Sequence, residues 1–219
     1  MLIFLEKNKN LTRKERERLL KRFEILDVAA NLFATKGFDG TKLEDIAEAS
    51  EFGKGTLYNY FENKEDIYVE IINRITDDYL SELKKISTKS KTLCEFISQL
   101  IDYLVEFVAV DRSAFLMLLR LRTEMNAIEK VRKSKVIKNY RIEATKIFKS
   151  KINLAIKNKE IEKINPDHFV ILFRNLTFPY FHSILIMKNK SRSVLQTKKD
   201  LVEAGNFIVA TLFNGISKR

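Results

Sequence analysis

Hydrophobic residues recur at three- and four-residue spacings along most of this chain, the period of helices that bury one face. From Thr12 to Lys36 the stripe is Leu19, Phe23, Leu26, Ala30 and Phe33, and Gly37 ends it. Thr41-Lys42-Leu43-Glu44 has the form of a capping box and predicts a short helix, whose stripe of Leu43, Ile46 and Ala47 fails near Ser50. Lys54 to Phe61 predicts a third helix, with Leu57 and Phe61 one turn apart on its buried face. Asn63, followed by Lys64, Glu65 and Asp66, reads as an N-cap and an acidic first turn. This fourth helix buries Ile67, Ile71, Ile75 and Leu83 and runs to about Ile86.

Beyond Lys91 the elements lengthen. Thr92-Leu93-Cys94-Glu95 opens a helix to about Val110, and Asp111 caps the next, to about Met125. A basic helix from roughly Glu129 to Lys157 carries Ile137, Tyr140, Ala144, Phe148, Ile152 and Ala155 on one face. Asn165-Pro166 starts a helix to about Lys188, because a proline in the first turn has no N–H to leave unpaired. A polar loop over 188–193 precedes the last helix, Leu195 to Ile216. The pattern is that of an all-α protein of about nine helices, with no strand and no internal repeat.

Composition agrees with this reading. Hydrophobic residues make up 45% of the 219, while glycine (6) and proline (2) are scarce. Gly37, Gly40, Gly53 and Gly55 fall close together and mark the region of tightest turns. The single cysteine, Cys94, occupies an apolar helix position without metal-ligand spacing and reads as a structural thiol. The apolar run in MLIFLEK is shorter than the roughly 7–15 residues of a signal-peptide core. No run of about 18 apolar residues occurs, so the expectation is a cytoplasmic protein without a membrane partner. Two histidines and the lack of HExxH, GxSxG or a phosphate-cradling glycine loop argue against an enzyme, and no cofactor or metal is expected.

Charge changes the picture more. The net +11 suggests a polyanionic partner, yet it is unevenly placed. Residues 1–23 carry eight basic against three acidic side chains, residues 24–64 four against eight, and residues 130–160 eleven against two. The basic arm at 7–22 and the block from Lys130 to Lys159 are therefore far apart in sequence. The second block reads as the solvated face of its helix, or as a dock for an acidic head group such as the phosphates of an acyl-coenzyme A.

Two short helices joined by a tight turn and packed on a longer one make a helix-turn-helix, with GKGTLYNYFENK as its second helix. Leu57 and Phe61 anchor that helix. Lys54, Gly55, Thr56, Tyr58, Asn59 and Tyr60 are left at its start and on its outer surface. Such groups suit DNA: glycine lets the backbone approach, threonine and asparagine reach base edges, and tyrosine hydroxyls bond phosphate. Lys64 adds a cation at the start of the next helix.

LFATKGFDGTKLEDIAEASEFGKGTLYNYFENKEDIY resembles the DNA-binding domain of the TetR family of bacterial transcription regulators, with KGTLYNYF following IA at the family's spacing. The resemblance runs continuously over residues 33–68 and is weak beyond about residue 70. It implies that Thr41, Lys54, Gly55, Thr56, Tyr58, Tyr60 and Lys64 contact DNA, mostly phosphates, with Lys42 and the more variable Asn59 beside them. It further implies a homodimer on two-fold related double-stranded operator DNA, with an N-terminal three-helix domain at 1–64 and a larger helical effector-binding and dimerisation domain at 65–219. The family's usual turn, Gly-Val-Ser, is here Glu51-Phe52-Gly53, which places glycine where the capping serine stands.

In the C-terminal half, HFVILFRNLTFPYFHSILIM is apolar nearly all round and must be buried on most sides. Asn175, Phe178, His182 and Leu185 share a face there, and Pro179 removes an N–H beside them. Asn175, Phe178 and His182, with Tyr103, Phe107 and Phe115 from earlier helices, are candidate walls of an effector cavity. Core packing, or a four-helix dimer interface with Gly205 as a close-packing point, is the competing reading of the same residues. His168, in the first turn, reads as solvated. The function expected is a one-component regulator, most often a repressor in this family, released by an apolar effector with fatty acids or acyl-coenzyme A among the candidates. The alternative is a ligand-sensing adaptor that no longer reads DNA specifically, motivated by the acidic balance of residues 24–64.

Overall fold

Side-chain caps fix most of the helix starts. Thr12 Oγ1 accepts from Glu15 N–H at 3.3 Å while the Glu15 carboxylate accepts from Thr12 N–H at 2.8 Å, a complete capping box. Asn63, Thr92, Asp111, Ser134 and Asn165 likewise accept from backbone N–H groups two or three residues on. The computed structural model describes residues 11–124, 131, 133–187 and 194–216, which hold nine α-helices and no strand. They are α1 Arg13–Lys36, α2 Leu43–Ala49, α3 Lys54–Tyr58, α4 Lys64–Lys89, α5 Leu93–Val110, α6 Arg112–Glu124, α7 Lys135–Lys157, α8 Pro166–Met187 and α9 Val194–Ile216. The chain forms two compact units, Met1–Ile71 and Ile72–Arg219, whose division falls within α4. Residues 7–10 of the basic arm, the expected helix limits at Met125 and Glu129, the start of the basic block at Lys130 and the polar loop at 188–193 lie outside the described residues.

In the first unit α1 packs on α2 and α2 on α3. Its centre is aromatic: Phe33 meets Phe38 at 5.8 Å and Tyr68 at 5.1 Å between ring centroids, with Leu26, Ile46, Leu57 and Ile67 fully buried around them. Arg22 ties three elements together. Its guanidinium forks onto the Glu70 carboxylate, donates to the Tyr60 carbonyl at 2.7 Å and lies 4.3 Å from the Phe61 ring centroid. That residue of the basic arm is thus engaged within the fold.

Two sequence expectations change here. Thr41 does not cap α2: its hydroxyl donates to the Gly37 carbonyl at 2.7 Å inside the core, and the Asp45 carboxylate accepts from Lys42 N–H at 3.1 Å instead. The third helix stops at Tyr58, because Asn59 N–H and Tyr60 N–H bond the carbonyls of Thr56 and Leu57, three residues back, tightening the chain. Phe61 still reaches the core, 3% exposed.

The turn after α2 is a Schellman motif. Phe52 N–H donates to Ala47 O and Glu51 N–H to Glu48 O, with Glu51 at φ 56° in the left-handed region that glycine favours. A Glu51→Gly substitution relieves a left-handed penalty of roughly 1–2 kcal/mol, against about 0.5–1 kcal/mol of extra unfolded-chain entropy. A slightly raised thermal midpoint is expected; a clear fall in a calorimetric scan would contradict this backbone assignment.

In the second unit α9 packs mainly on α5 and on α8, and α8 also packs on α7 and α6. Gly205 takes part in that intramolecular packing: a methyl there would stand 2.6 Å from Ile101 Cγ2 of α5. Cys94, expected on an apolar face, is exposed. Its N–H and that of Leu93 donate to the Glu160 carboxylate. Among the described residues α8 alone is long and apolar enough to cross a membrane, with a mean hydropathy of 1.4 over Pro166–Ile186; only about a third of it is buried within the chain, so the expected burial on most sides is not met by packing on α6, α7 and α9, and Ile171, Leu172 and Ile186 are exposed.

Candidate functional site

The exposed surface of the first unit centres on α3. Leu57, fully buried, seats this helix, while Tyr58 is 57% exposed and Lys42, Lys54 and Asn59 are exposed around it. Thr56 and Tyr60 are half-buried, and the Arg18 guanidinium lies 5.8 Å from the Tyr60 ring. A methyl added at Gly53 or Gly55 would meet no atom within 4 Å, so the backbone of residues 53–55 stands open to an approaching partner. Gly53 supplies no side-chain cap, and its carbonyl accepts from Thr56 N–H at 2.9 Å and from Leu57 N–H at 3.2 Å.

Two of the residues singled out for DNA are occupied elsewhere. Thr41 is buried, as described. Lys64 Nζ donates to Phe38 O at 2.8 Å and Thr41 O at 3.0 Å and stands 4.3 Å from the Phe38 ring centroid, so its charge holds the α1–α2 loop against the start of α4. Lys54 Nζ lies 2.7 Å from Glu44 Oε1 on the exposed face. That hydrogen bond raises the Lys54 pKa and lowers that of Glu44, keeping both charged. An acidic side chain therefore shares the surface with the leading cation of α3, which no local motif in the sequence reveals.

The second unit holds a cavity of about 380 Å³ between α4, α6, α7 and α8. Buried Tyr79, Tyr140, Phe148 and Phe178 line it, and Arg141, Arg174 and Asn175 stand at its more exposed side. Burial raises the Tyr79 hydroxyl pKa well above its ordinary value and raises that of Tyr140, so both are protonated donors. Of the candidate wall residues, Asn175 and Phe178 line the cavity. Phe115 stacks behind Phe178 at 5.9 Å, and Tyr103 lies beside Tyr79 at 6.0 Å and stacks on Phe107 at 6.1 Å, so these three belong to the surrounding packing. Burial and the Glu82 and Asp78 charges push the Tyr103 pKa up to about 12. His182 is half-buried outside the lining, with its pKa lowered by burial and by Arg112 and Arg120. His168 is exposed.

Residues 25–71 match the model of the bacterial regulatory proteins of the tetR family. The chain thus carries a TetR-type DNA-binding domain in its first unit. Over 66 residues it is 39% identical to the HTH-type transcriptional repressor KstR2 of Rhodococcus jostii, covering 30% of this chain and 32% of that protein. Over 85 residues it is 34% identical to IcaR, a biofilm-operon negative transcriptional regulator of Staphylococcus aureus, covering 39% and 44% respectively. These alignments span less than half the length of the curated relatives. Likeness of fold extends further: the ketosteroid regulator KstR2 of Mycobacterium tuberculosis superposes with a TM-score of 0.74 over 90% of this chain and 95% of that one, at 19% identity. A putative fatty acid metabolism regulator of Clostridium perfringens gives 0.68 over 90% and 100%, at 20% identity. The TetR fold is thus shared along both units, while sequence likeness is concentrated in the first.

Proposed function

We propose that this protein is a transcription regulator of the TetR family that binds operator DNA as a homodimer, represses from it, and is released when an apolar effector occupies the cavity of the second unit. The observation that carries the reading is the open backbone at Gly53–Gly55 beside exposed Lys54, Tyr58 and Asn59, on a helix seated by Leu57. Lys42, Lys54, Thr56, Tyr58, Asn59 and Tyr60 are the proposed DNA contacts. Thr41 and Lys64 support them by fixing the loop that presents α2. Exposed apolar side chains on the last two helices, Leu172, Ile186, Val202 and Phe207, supply a surface for the second copy. Release follows only if the effector binds the DNA-competent and released arrangements with different affinity.

Labelled DNA from upstream of the protein's own gene, titrated against random DNA at two salt concentrations, tests the proposal. A regulator holds a large preference for the upstream DNA at both salts. Weak binding without preference, lost at the higher salt, would favour the adaptor reading. Glu44→Gln gives a further expectation. With Lys54 released to a phosphate, affinity for any DNA rises severalfold at low salt, and the slope of log K against log salt steepens by about 0.9. An unchanged slope would mean that Lys54 already reaches phosphate with Glu44 in place.

A further inference from the structure

The lining of the cavity in the second unit combines two chemistries. Tyr79, Tyr140, Phe148 and Phe178, each less than 10% exposed, supply a buried aromatic wall. Two guanidiniums line it as well, from the more exposed Arg141 on α7 and the half-buried Arg174 on α8. The acidic residue on the rim, Asp167, already accepts from Lys149 Nζ at 2.9 and 3.1 Å, so the carboxylate there is compensated from outside the cavity. The positive potential extends inward: burial raises the Tyr79 and Tyr140 pKa values, and Arg174 acts against it at both hydroxyls, joined by Arg141 at Tyr140. A volume of about 380 Å³ is that of a small-molecule site.

We infer that this cavity takes an amphipathic anion, its apolar body on Tyr79, Tyr140, Phe148 and Phe178 and its carboxylate or phosphate head at Arg141 and Arg174. The inference rests on the proposed reading of the second unit as the effector unit, and it gives that effector a charge. Guanidinium forks fit carboxylate and phosphate oxygens in a bidentate way, and such bonds strengthen where water is partly excluded. A neutral apolar molecule of the same shape keeps the wall contacts and loses the head contacts. Arg141 also gives part of the basic α7 a role that a merely wet helix face does not have.

Calorimetric titration of the full chain, without DNA, distinguishes these cases. The probes are dodecanoate, dodecanol and dodecanoyl-coenzyme A. An anion should bind at least about tenfold tighter than the alcohol, the scale of hydrogen bonds to a charged group. Preference for dodecanoate identifies a carboxylate head, and preference for the thioester identifies phosphate. Arg174→Gln should remove most of that preference while leaving dodecanol affinity within about twofold, a change confined to the head contacts. Arg141→Gln, at an exposed position, repeats the test with little demand on folding. Equal affinities for alcohol and anions, no binding of any of the three, or a preference that survives both substitutions would overturn the inference. Because DNA is absent from the assay, such a result leaves the upstream-DNA preference to be judged by its own titration.

Discussion

Tyr58→Ala is expected to weaken binding to the operator by about 5- to 100-fold, the scale of one lost contact of roughly 1–3 kcal/mol, while thermal stability changes little. The asymmetry follows from placement. Tyr58 is 57% exposed, whereas Leu57 next to it is fully buried and holds α3 in position. An exposed substitution away from caps and cores shifts stability by about 0.5 kcal/mol or less. Gly55→Ala tests the same surface through the backbone. In the unbound protein the added methyl meets no atom within 4 Å, and alanine gains up to about 1 kcal/mol of helix propensity over glycine. The variant should therefore be at least as stable as the parent and still bind the operator poorly, because the methyl occupies space that a phosphate approaches. Full operator affinity in both variants, measured by fluorescence anisotropy with midpoints from a thermal scan, would remove α3 from the DNA interface.

The local signals in this chain were legible where the partner of a group lies within one turn. Asn63, Thr92, Asp111 and Asn165 cap the helices their sequence contexts predict, since the acceptor oxygen and the N–H it serves are at most three residues apart. Thr41 had the same local form and took another course. The loop after Gly37, at φ 78°, turns its hydroxyl back to a carbonyl four residues earlier. The choice depends on how α1 and α2 pack, which a four-residue motif does not encode.

Charges were harder to place for the same reason. Lys64 and Arg22 each read locally as cations available to DNA, yet their partners lie 23 to 48 residues away, at Phe38, Thr41, Tyr60 and Glu70. The cavity left fainter traces. Tyr79 sits four residues after Ile75 and four before Leu83, on the stripe already assigned to the core, and period alone does not separate a residue facing a neighbour from one facing a void. Arg174 had the clearer signal, as the sole charged side chain between Phe169 and Met187. A lone charge in such a stretch must meet water, a partner or a ligand. Over nine-tenths of the chain, identity with the two solved neighbours above is 20% or less while the fold persists, which is the condition under which side chains around a cavity diverge and helix packing does not.

Gly205→Ala should destabilise the second unit by about 1–3 kcal/mol, the usual cost of overpacking a filled core, despite alanine's higher helix propensity. The added methyl would stand 2.6 Å from Ile101 Cγ2 and 3.5 Å from Val105 Cγ2. The first of these is on a fully packed, β-branched side chain, 2% exposed, whose χ1 has few alternatives in a helix. Relief therefore requires α9 to move away from α5, its principal packing partner. Ile101→Ala removes the colliding atom and by itself costs about 2–5 kcal/mol through the cavity it leaves. Combined with Gly205→Ala, it should cost less than the two separate losses added together, because the new methyl enters space the isoleucine has vacated. Denaturant midpoints of the four proteins close that cycle. Strict additivity would show that the 205–101 approach is not what makes glycine necessary. Because the contact lies within one chain, the Gly205→Ala loss should also persist under dilution that shifts any dimer to monomer, which separates close packing on α5 from packing against a second copy.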